Sequence, residues 1–178
     1  MPVRPEGDAS PIAAEEISTS RLVLLPLRID HADEMAVVLS DPELHTFIGG
    51  SPATAEQLRS RYTRWVAGSE DPAESWCNWV LRLRDENCLV GTVQASIGHA
   101  DGGEVAEIAW VLGIRWQGRG LATEAARALV EWLDRQSVPT VIAHVHPDHA
   151  ASAAVAAAAG LARTEHLQDG EVRWRRSR

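Results

Sequence analysis

The residues of this 178-residue chain that could do chemistry fall in two short runs. The first, Arg115-Trp116-Gln117-Gly118-Arg119-Gly120-Leu121-Ala122, has the spacing R-x-x-G-x-G. Two residues without Cβ let backbone N–H groups converge on an anion. A helix beginning directly behind them adds unsatisfied donors and a positive dipole end, so the run suits a cradle for a diphosphate, although a tight glycine-rich strand-to-helix connection accounts for the same glycines. Arg115 and Arg119 add charge to it, and Thr123 a hydroxyl in the first helical turn. The dinucleotide fingerprint needs three glycines after an early strand, whereas this run has two and comes late. The second run, His144-Val145-His146-Pro147-Asp148-His149, gathers three imidazoles and one carboxylate. They make a credible zinc set, with His144 and His146 on one face of a strand end. A hydrogen-bonded pair of strand-end histidines accounts for the same residues without a metal.

A diphosphate cradle has to lie between a strand and a helix, and the flanking sequence supplies both. From Arg119 to Gln136 the apolar residues Leu121, Ala125, Leu129, Trp132 and Leu133 share one helical face, opposite Glu124, Arg127, Glu131 and Arg135. Upstream, Trp76–Leu83 and Cys88–Ile97 flank the polar turn Asp85-Glu86-Asn87. The turn Asp101-Gly102-Gly103 then leads into Glu104–Leu112, giving an antiparallel meander. Earlier still come a strand at Leu22–Leu27, a helix capped by Asp30 and running through Leu39, and a helix at Thr54–Ala67. Thr54 and Gln57 have the spacing of a capping box. Downstream are a strand at Pro139–Val145, an alanine-rich helix at His149–Ala159 stopped by Gly160, and strands Ala162–Leu167 and Glu171–Arg175 around Asp169-Gly170. The order βααβββαβαββ predicts an α/β (α+β) fold: a mixed, mostly antiparallel sheet with helices on both faces. Residues 1–17, with Pro2, Pro5, Gly7 and Pro11 and no periodicity, read as a flexible leader, and residues 18–178 as one domain.

Composition narrows the functional classes. The net charge is −8 and all 17 basic residues are arginine, which argues against nucleic-acid binding; the acidic balance is read first as a matter of solubility, though it would also favour encounter with a cationic acceptor. No apolar run is long enough to span a membrane, and Met1–Ser20 lacks the apolar stretch of a secretory signal. Cys77 and Cys88 are the only cysteines, too few for a disulfide framework or a four-thiolate zinc site. The expectation is a cytoplasmic protein, monomeric or homodimeric, with no metal.

The glycine run, with its strand and helix, resembles the acetyl-CoA site of the GNAT superfamily of N-acetyltransferases, over roughly Thr19 to Arg175. It is most similar to the ribosomal-protein N-terminal acetyltransferase branch. Thr19-Ser20-Arg21-Leu22-Val23-Leu24-Leu25-Pro26-Leu27 matches that branch's T-x-R-L-x-L-x-x-L opening. Glu107-Ile108-Ala109-Trp110-Val111-Leu112 matches its E-I-x-x-x-L strand ahead of Q-G-x-G. Asp148-His149-Ala150-Ala151-Ser152, with Gly160 beyond, follows its D-N-x-x-S pattern except at His149, where Asn is usual. Members with a tyrosine acid carry it where this chain has Ala156.

The resemblance implies acetyl-CoA as cosubstrate and direct transfer to a primary amine, either a peptide N-terminus or a small-molecule amine such as an antibiotic or polyamine. It implies Glu107 as general base and Ser152 as donor to the leaving thiolate. Val111, Leu112, Arg115, Gln117, Gly118, Arg119, Gly120, Leu121, Ala122, Thr123, His149 and Ser152 would hold the cofactor. Two alternatives stand beside this. The H-x-H-x-D-H run resembles the signature of metallo-β-lactamase-fold zinc hydrolases, although only His166 follows it as a further histidine ligand. The departures at His149 and Ala156 also suit an acyl-CoA-binding module that has lost catalysis.

Overall fold

Alternation along the central strands sets two faces of one sheet. Cys77, Trp79, Leu81 and Leu83 point to one side and Val80 to the other, and all five are fully buried. The computed structural model describes residues 11–100 and 102–178. In chain order its elements are β1 (Ile17–Ser18), β2 (Leu22–Pro26), α1 (Ala32–Val38), α2 (His45–Ile48), α3 (Ala55–Ala67), β3 (Ser75–Leu83), β4 (Cys88–Ala100), β5 (Gly103–Leu112), α4 (Leu121–Arg135), β6 (Thr140–Val145), α5 (Ala150–Ala158), β7 (Ala162–Gln168) and β8 (Glu171–Ser177). Short 3-10 turns occupy Ile29–His31, Pro42–Leu44 and Ile114–Trp116. The strands form a single sheet in the order β1-β2-β3-β4-β5-β6-β8-β7. Only β5 and β6 pair in parallel.

The expected mixed sheet with helices on both faces is the observed one. On one face α4 buries Leu121, Ala125, Leu129 and Leu133 against β2–β6, and the Trp132 ring meets Trp79 edge to face at 5.1 Å. On the other, Met35 of α1 with Leu58 and Tyr62 of α3 pack on Val80 and Leu89. Burial pushes both the Tyr62 hydroxyl and the Cys77 thiol up to about 12. The Thr54–Gln57 capping box forms as expected, with Thr54 Oγ1 accepting the Gln57 N–H and the Gln57 side chain accepting the Thr54 N–H.

Three expectations are corrected. Residues 1–10 of the proposed leader lie outside the described residues, but residues 11–17 are docked. Ile12 and Ile17 are buried, Ile12 N–H donates to Ser75 Oγ at 2.8 Å, and Trp79 Nε1 donates to the Glu15 carbonyl at 2.7 Å. An aperiodic segment is held because it satisfies buried indole and hydroxyl groups, which periodicity does not register. The first helix begins at Ala32, not at an Asp30 cap: Ile29–His31 is a 3-10 turn, and Asp30 is instead paired with Arg28 at 2.9 Å. The expected order βααβββαβαββ lacks two elements that the structure has, β1 ahead of β2 and the four-residue α2 between α1 and α3. The turn expected at Asp101-Gly102-Gly103 falls partly outside the described residues.

The functional feature of the sheet is where its parallel pair comes apart. β5 and β6 are in register only from Val105–Glu107 against Thr140–Ile142. Beyond that point β5 stays with β4 as far as Leu112, while β6 stays with β8 as far as Val145. Pro147, which has no N–H to donate, follows soon after the end of β6. The strands therefore diverge into a V, with the backbone of Ile108–Leu112 along one arm.

Candidate active site

The glycine run sits past the end of β5, at the wide end of this V, and its shape follows from the local backbone. Gly118 and Gly120 have φ of +75° and +76°, a left-handed region that costs residues with a Cβ. Gly120 is the N-cap of α4 and makes no side-chain cap. The first intrahelical bond runs from Glu124 N–H to the Gly120 carbonyl, so the N–H groups of Leu121, Ala122 and Thr123 precede the helical ladder. The Gln117 side chain ties the run to β5 by donating to the Leu112 carbonyl at 3.0 Å.

Residues far away in sequence hold the run from behind. Glu124 accepts from Thr19 Oγ1 at 2.6 Å, from Arg21 N–H at 3.0 Å and from Arg21 Nε at 2.8 Å. Arg21 also donates to the Arg119 carbonyl at 2.7 Å. The Thr19-Ser20-Arg21 opening thus has a physical role, fastening β2 to the N-terminus of α4. Burial pushes the Glu124 carboxyl up, but the hydrogen bonds from Thr19 and Arg21 outweigh it and hold the group below its ordinary value. On the other flank, Glu86 from the β3–β4 turn accepts from Trp116 Nε1 at 3.0 Å and from Arg119 at 3.2 Å. The first of these bonds, then the second, keeps its carboxyl below the usual range.

A cavity of about 520 Å³ fills the V. Glu107, Val111 and Leu112 line one arm, His144–His146 with His149 and Ser152 the other, and Gln117, Gly118 and Gly120–Thr123 the wide end. Ten of the twelve residues expected to hold the cofactor border it. Arg115 and Arg119 do not: Arg115 lies over the Trp116 ring at 5.4 Å, and Arg119 is paired with Glu86. The groups at this end that could bind an anion are therefore the backbone N–H groups and the Thr123 hydroxyl. A second cavity, of about 370 Å³, shares Ala109, Trp110 and Val111 with the first and extends toward Arg61, Tyr62 and Trp65 of α3.

His149 takes over the capping work of the missing Asn. Its Nδ1 accepts the Ser152 N–H at 3.0 Å, and its Nε2 lies 3.5 Å from Ser152 Oγ. With Nδ1 accepting, the neutral ring carries its proton on Nε2, facing the serine. Ala156 is buried in the core and is not part of the cavity wall.

The structure corrects the zinc expectation by separating the run that prompted it. His144 turns toward Glu107, with Nδ1 and Oε1 2.8 Å apart; His146 Nδ1 accepts the Asp148 N–H at 3.1 Å; and His149 caps α5. Among the described residues no three His, Cys, Asp or Glu side chains come together as a metal-ligand group. Sequence reasoning missed several lining residues, Phe47 and Glu171 among them. Phe47, on α2, packs against His149 at 4.3 Å and His146 at 5.3 Å between ring centroids, bringing α2 to the second arm of the V. Neither carries a sequence signal: one is a lone aromatic in a short helix and the other a strand's first residue.

A sheet opened at its parallel pair beside a glycine-rich helix N-terminus is the architecture of an acyltransferase. A family model described as "Acetyltransferase (GNAT) domain" matches residues 21–162, and the chain belongs to that family. It is 27% identical over 149 residues to an uncharacterized N-acetyltransferase, YnaD, of Bacillus subtilis, a match covering 83% of this chain and 82% of that protein. Among solved structures, a GNAT-family acetyltransferase from Bacillus anthracis superposes with a TM-score of 0.75 at 20% identity, covering 92% of this chain and 98% of that one. The ribosomal L7/L12 alpha-N-protein acetyltransferase RimL, solved with coenzyme A, superposes with a TM-score of 0.72 at 16% identity, over 92% of this chain and 98% of that one. Among the described residues no helix is long and apolar enough to cross a membrane.

Proposed function

We propose that this acyltransferase moves an acetyl group from acetyl-CoA directly to a primary amine, with Glu107 as general base. One observation carries the reading: Glu107 stands at the last paired position of β5 and β6, where the V opens, and the glycine-rich N-terminus of α4 closes the same cavity. A donor whose diphosphate rests on the N–H groups of residues 118–123 has its chain directed along the unpaired edge of β5 toward Glu107. The backbone near Val111 and Leu112 is then available to the pantetheine and the thioester.

Glu107 removes a proton from the incoming ammonium, directly or through one water. The amine nitrogen bonds to the carbonyl carbon, the C–S bond breaks, and the nitrogen releases its second proton to solvent. Ser152 Oγ passes a proton to the departing thiolate and is resupplied from solvent. The demand on this acid is small, because a thiol has a pKa of about 8.5.

The second cavity is where we place the acceptor. It is lined by Tyr62, Trp65, Trp110 and several aliphatic side chains, and no acidic residue is among them; its one formal charge is Arg61. That lining suits an amine attached to an apolar or aromatic group, such as a peptide N-terminus with an apolar side chain, better than a polyamine or a polycationic antibiotic.

The test is release of free thiol from acetyl-CoA over a panel of aromatic monoamines, short peptides with free N-termini, spermidine and an aminoglycoside. Glu107→Gln should lower turnover of the best acceptor by about 100-fold to 10,000-fold while leaving the acetyl-CoA dissociation constant unchanged. Turnover unaffected by Glu107→Gln would remove the base assignment.

A further inference from the structure

The histidine run has one member that neither capping nor the turn accounts for. His144 lies on β6, two residues beyond Ile142, which is the register partner of Glu107 on β5. On its other side β6 pairs with β8, where Arg173 lies directly opposite His144. Glu107, His144 and Arg173 therefore project from the same face of three adjacent strands. Their side chains form a row: His144 Nδ1 is 2.8 Å from Glu107 Oε1, and Arg173 Nε donates to His144 Nε2 at 3.2 Å. The far end is fixed as well, since Arg173 Nη2 donates to Gln168 Oε1 at 3.2 Å and the Arg173 carbonyl accepts from Thr164 Oγ1 at 2.7 Å. The His144 side chain is only 9% exposed, against 51% for Glu107.

We infer that His144 and Arg173 are positioning residues for the base, an inference that rests on the assignment of Glu107 as that base. The direction of the row follows from elementary chemistry. A guanidinium has five donors and no lone pair to offer, so Nε2 of His144 must be the acceptor. The one proton of the neutral imidazole is then on Nδ1, where it is donated to Glu107 Oε1. A doubly protonated ring would set an Nε2–H against the Arg173 Nε–H and lose that contact. His144 is accordingly a neutral donor that orients the carboxylate and does not compete with it for the substrate's proton. Oε2 is left without a partner among the described residues and is free to meet the ammonium or a bridging water. The row keeps a half-exposed carboxylate, which would otherwise sample several rotamers, in one orientation at the apex of the V.

The first arm of the test needs no acceptor. A long-range ¹H–¹⁵N spectrum of the wild-type protein near neutral pH should show His144 protonated on Nδ1 and bare on Nε2. Arg173→Met should release the ring into a mixture of tautomers. The second arm is kinetic, with acetyl-CoA and the amine of the panel turned over fastest. His144→Phe should reduce kcat about tenfold to a hundredfold with little change in KM for acetyl-CoA. His144→Asn, which keeps an N–H donor near the Nδ1 position, should restore most of the loss. An Nε2–H tautomer in the wild type, an unchanged kcat in His144→Phe, or equal losses in the Phe and Asn variants would each overturn the inference. Glu107→Gln is assayed alongside. If it leaves turnover intact, the base assignment fails and the positioning role falls with it. If it abolishes turnover while His144→Phe does not, only the positioning role fails.

Discussion

Glu124→Gln isolates the clamp that fixes the cofactor end of the cleft. The substitution preserves size but removes the charge that accepts from Thr19 Oγ1, Arg21 N–H and Arg21 Nε, and it turns an amide NH₂ toward those donors. A hydrogen bond to a charged group is worth about 1.5–3 kcal/mol. The Arg21 side chain is 44% exposed and that of Glu124 18%, so solvent screening reduces the sum, and we expect a net loss of about 2 kcal/mol. For a domain of this size, that corresponds to a fall in Tm of about 4–8 °C. The pH dependence supplies a second check. Glu124 is held below its ordinary pKa of 4.5 in the folded protein, so its contribution is complete above the unfolded value and is lost as pH falls through the folded one. The gap between wild type and variant in thermal melts should be full near neutrality and close as the solution is acidified below 4.5. A Tm within 1 °C of wild type near neutral pH would refute the clamp. So would a gap of constant size across the acid range.

Two further substitutions probe the wall and the cap. A Cβ at Gly91 would lie 2.2 Å from the Val111 carbonyl oxygen, so Gly91→Ala must push β5 away from β4 just where it borders the cavity. We expect a loss of about 1–3 kcal/mol in chemical denaturation together with weaker acetyl-CoA binding by calorimetry. His149→Ala removes the acceptor for the Ser152 N–H and should cost about 1 kcal/mol, while His149→Asn should be near neutral in the same denaturation experiment.

How far the sequence could be read depended on the range of the interaction. The α4 stripe from Leu121 to Leu133, the Thr54–Gln57 box and the glycine turn into α4 are local, and each was legible because its partners lie within a few positions. The T-x-R opening was legible as a pattern, but its physical meaning required Glu124, more than a hundred residues away. Arg119 shows the converse: proximity to the glycines suggested an anion contact, but Glu86 from a hairpin turn 33 residues earlier captures the guanidinium. The docking of residues 11–17 escaped because their binding groups, the Trp79 and Trp132 indoles and the Ser75 hydroxyl, belong to distant elements. The H-x-H-x-D-H run misled because spacing cannot show that its three rings diverge to a carboxylate on β5, a turn amide and a helix cap. Strand periodicity identifies β5 and β6 but not how far they pair, so the residues alone, without the family resemblance, do not show the opening of the V.

The central claim is that acetyl-CoA occupies the V with its diphosphate on the start of α4. Amide hydrogen exchange with and without acetyl-CoA tests it most directly. The account predicts new protection concentrated at residues 117–123 and at Val111 and Leu112. Protection confined to the far part of the adjoining groove, at Arg127 and Arg135, or no change anywhere at saturating acetyl-CoA, would contradict it.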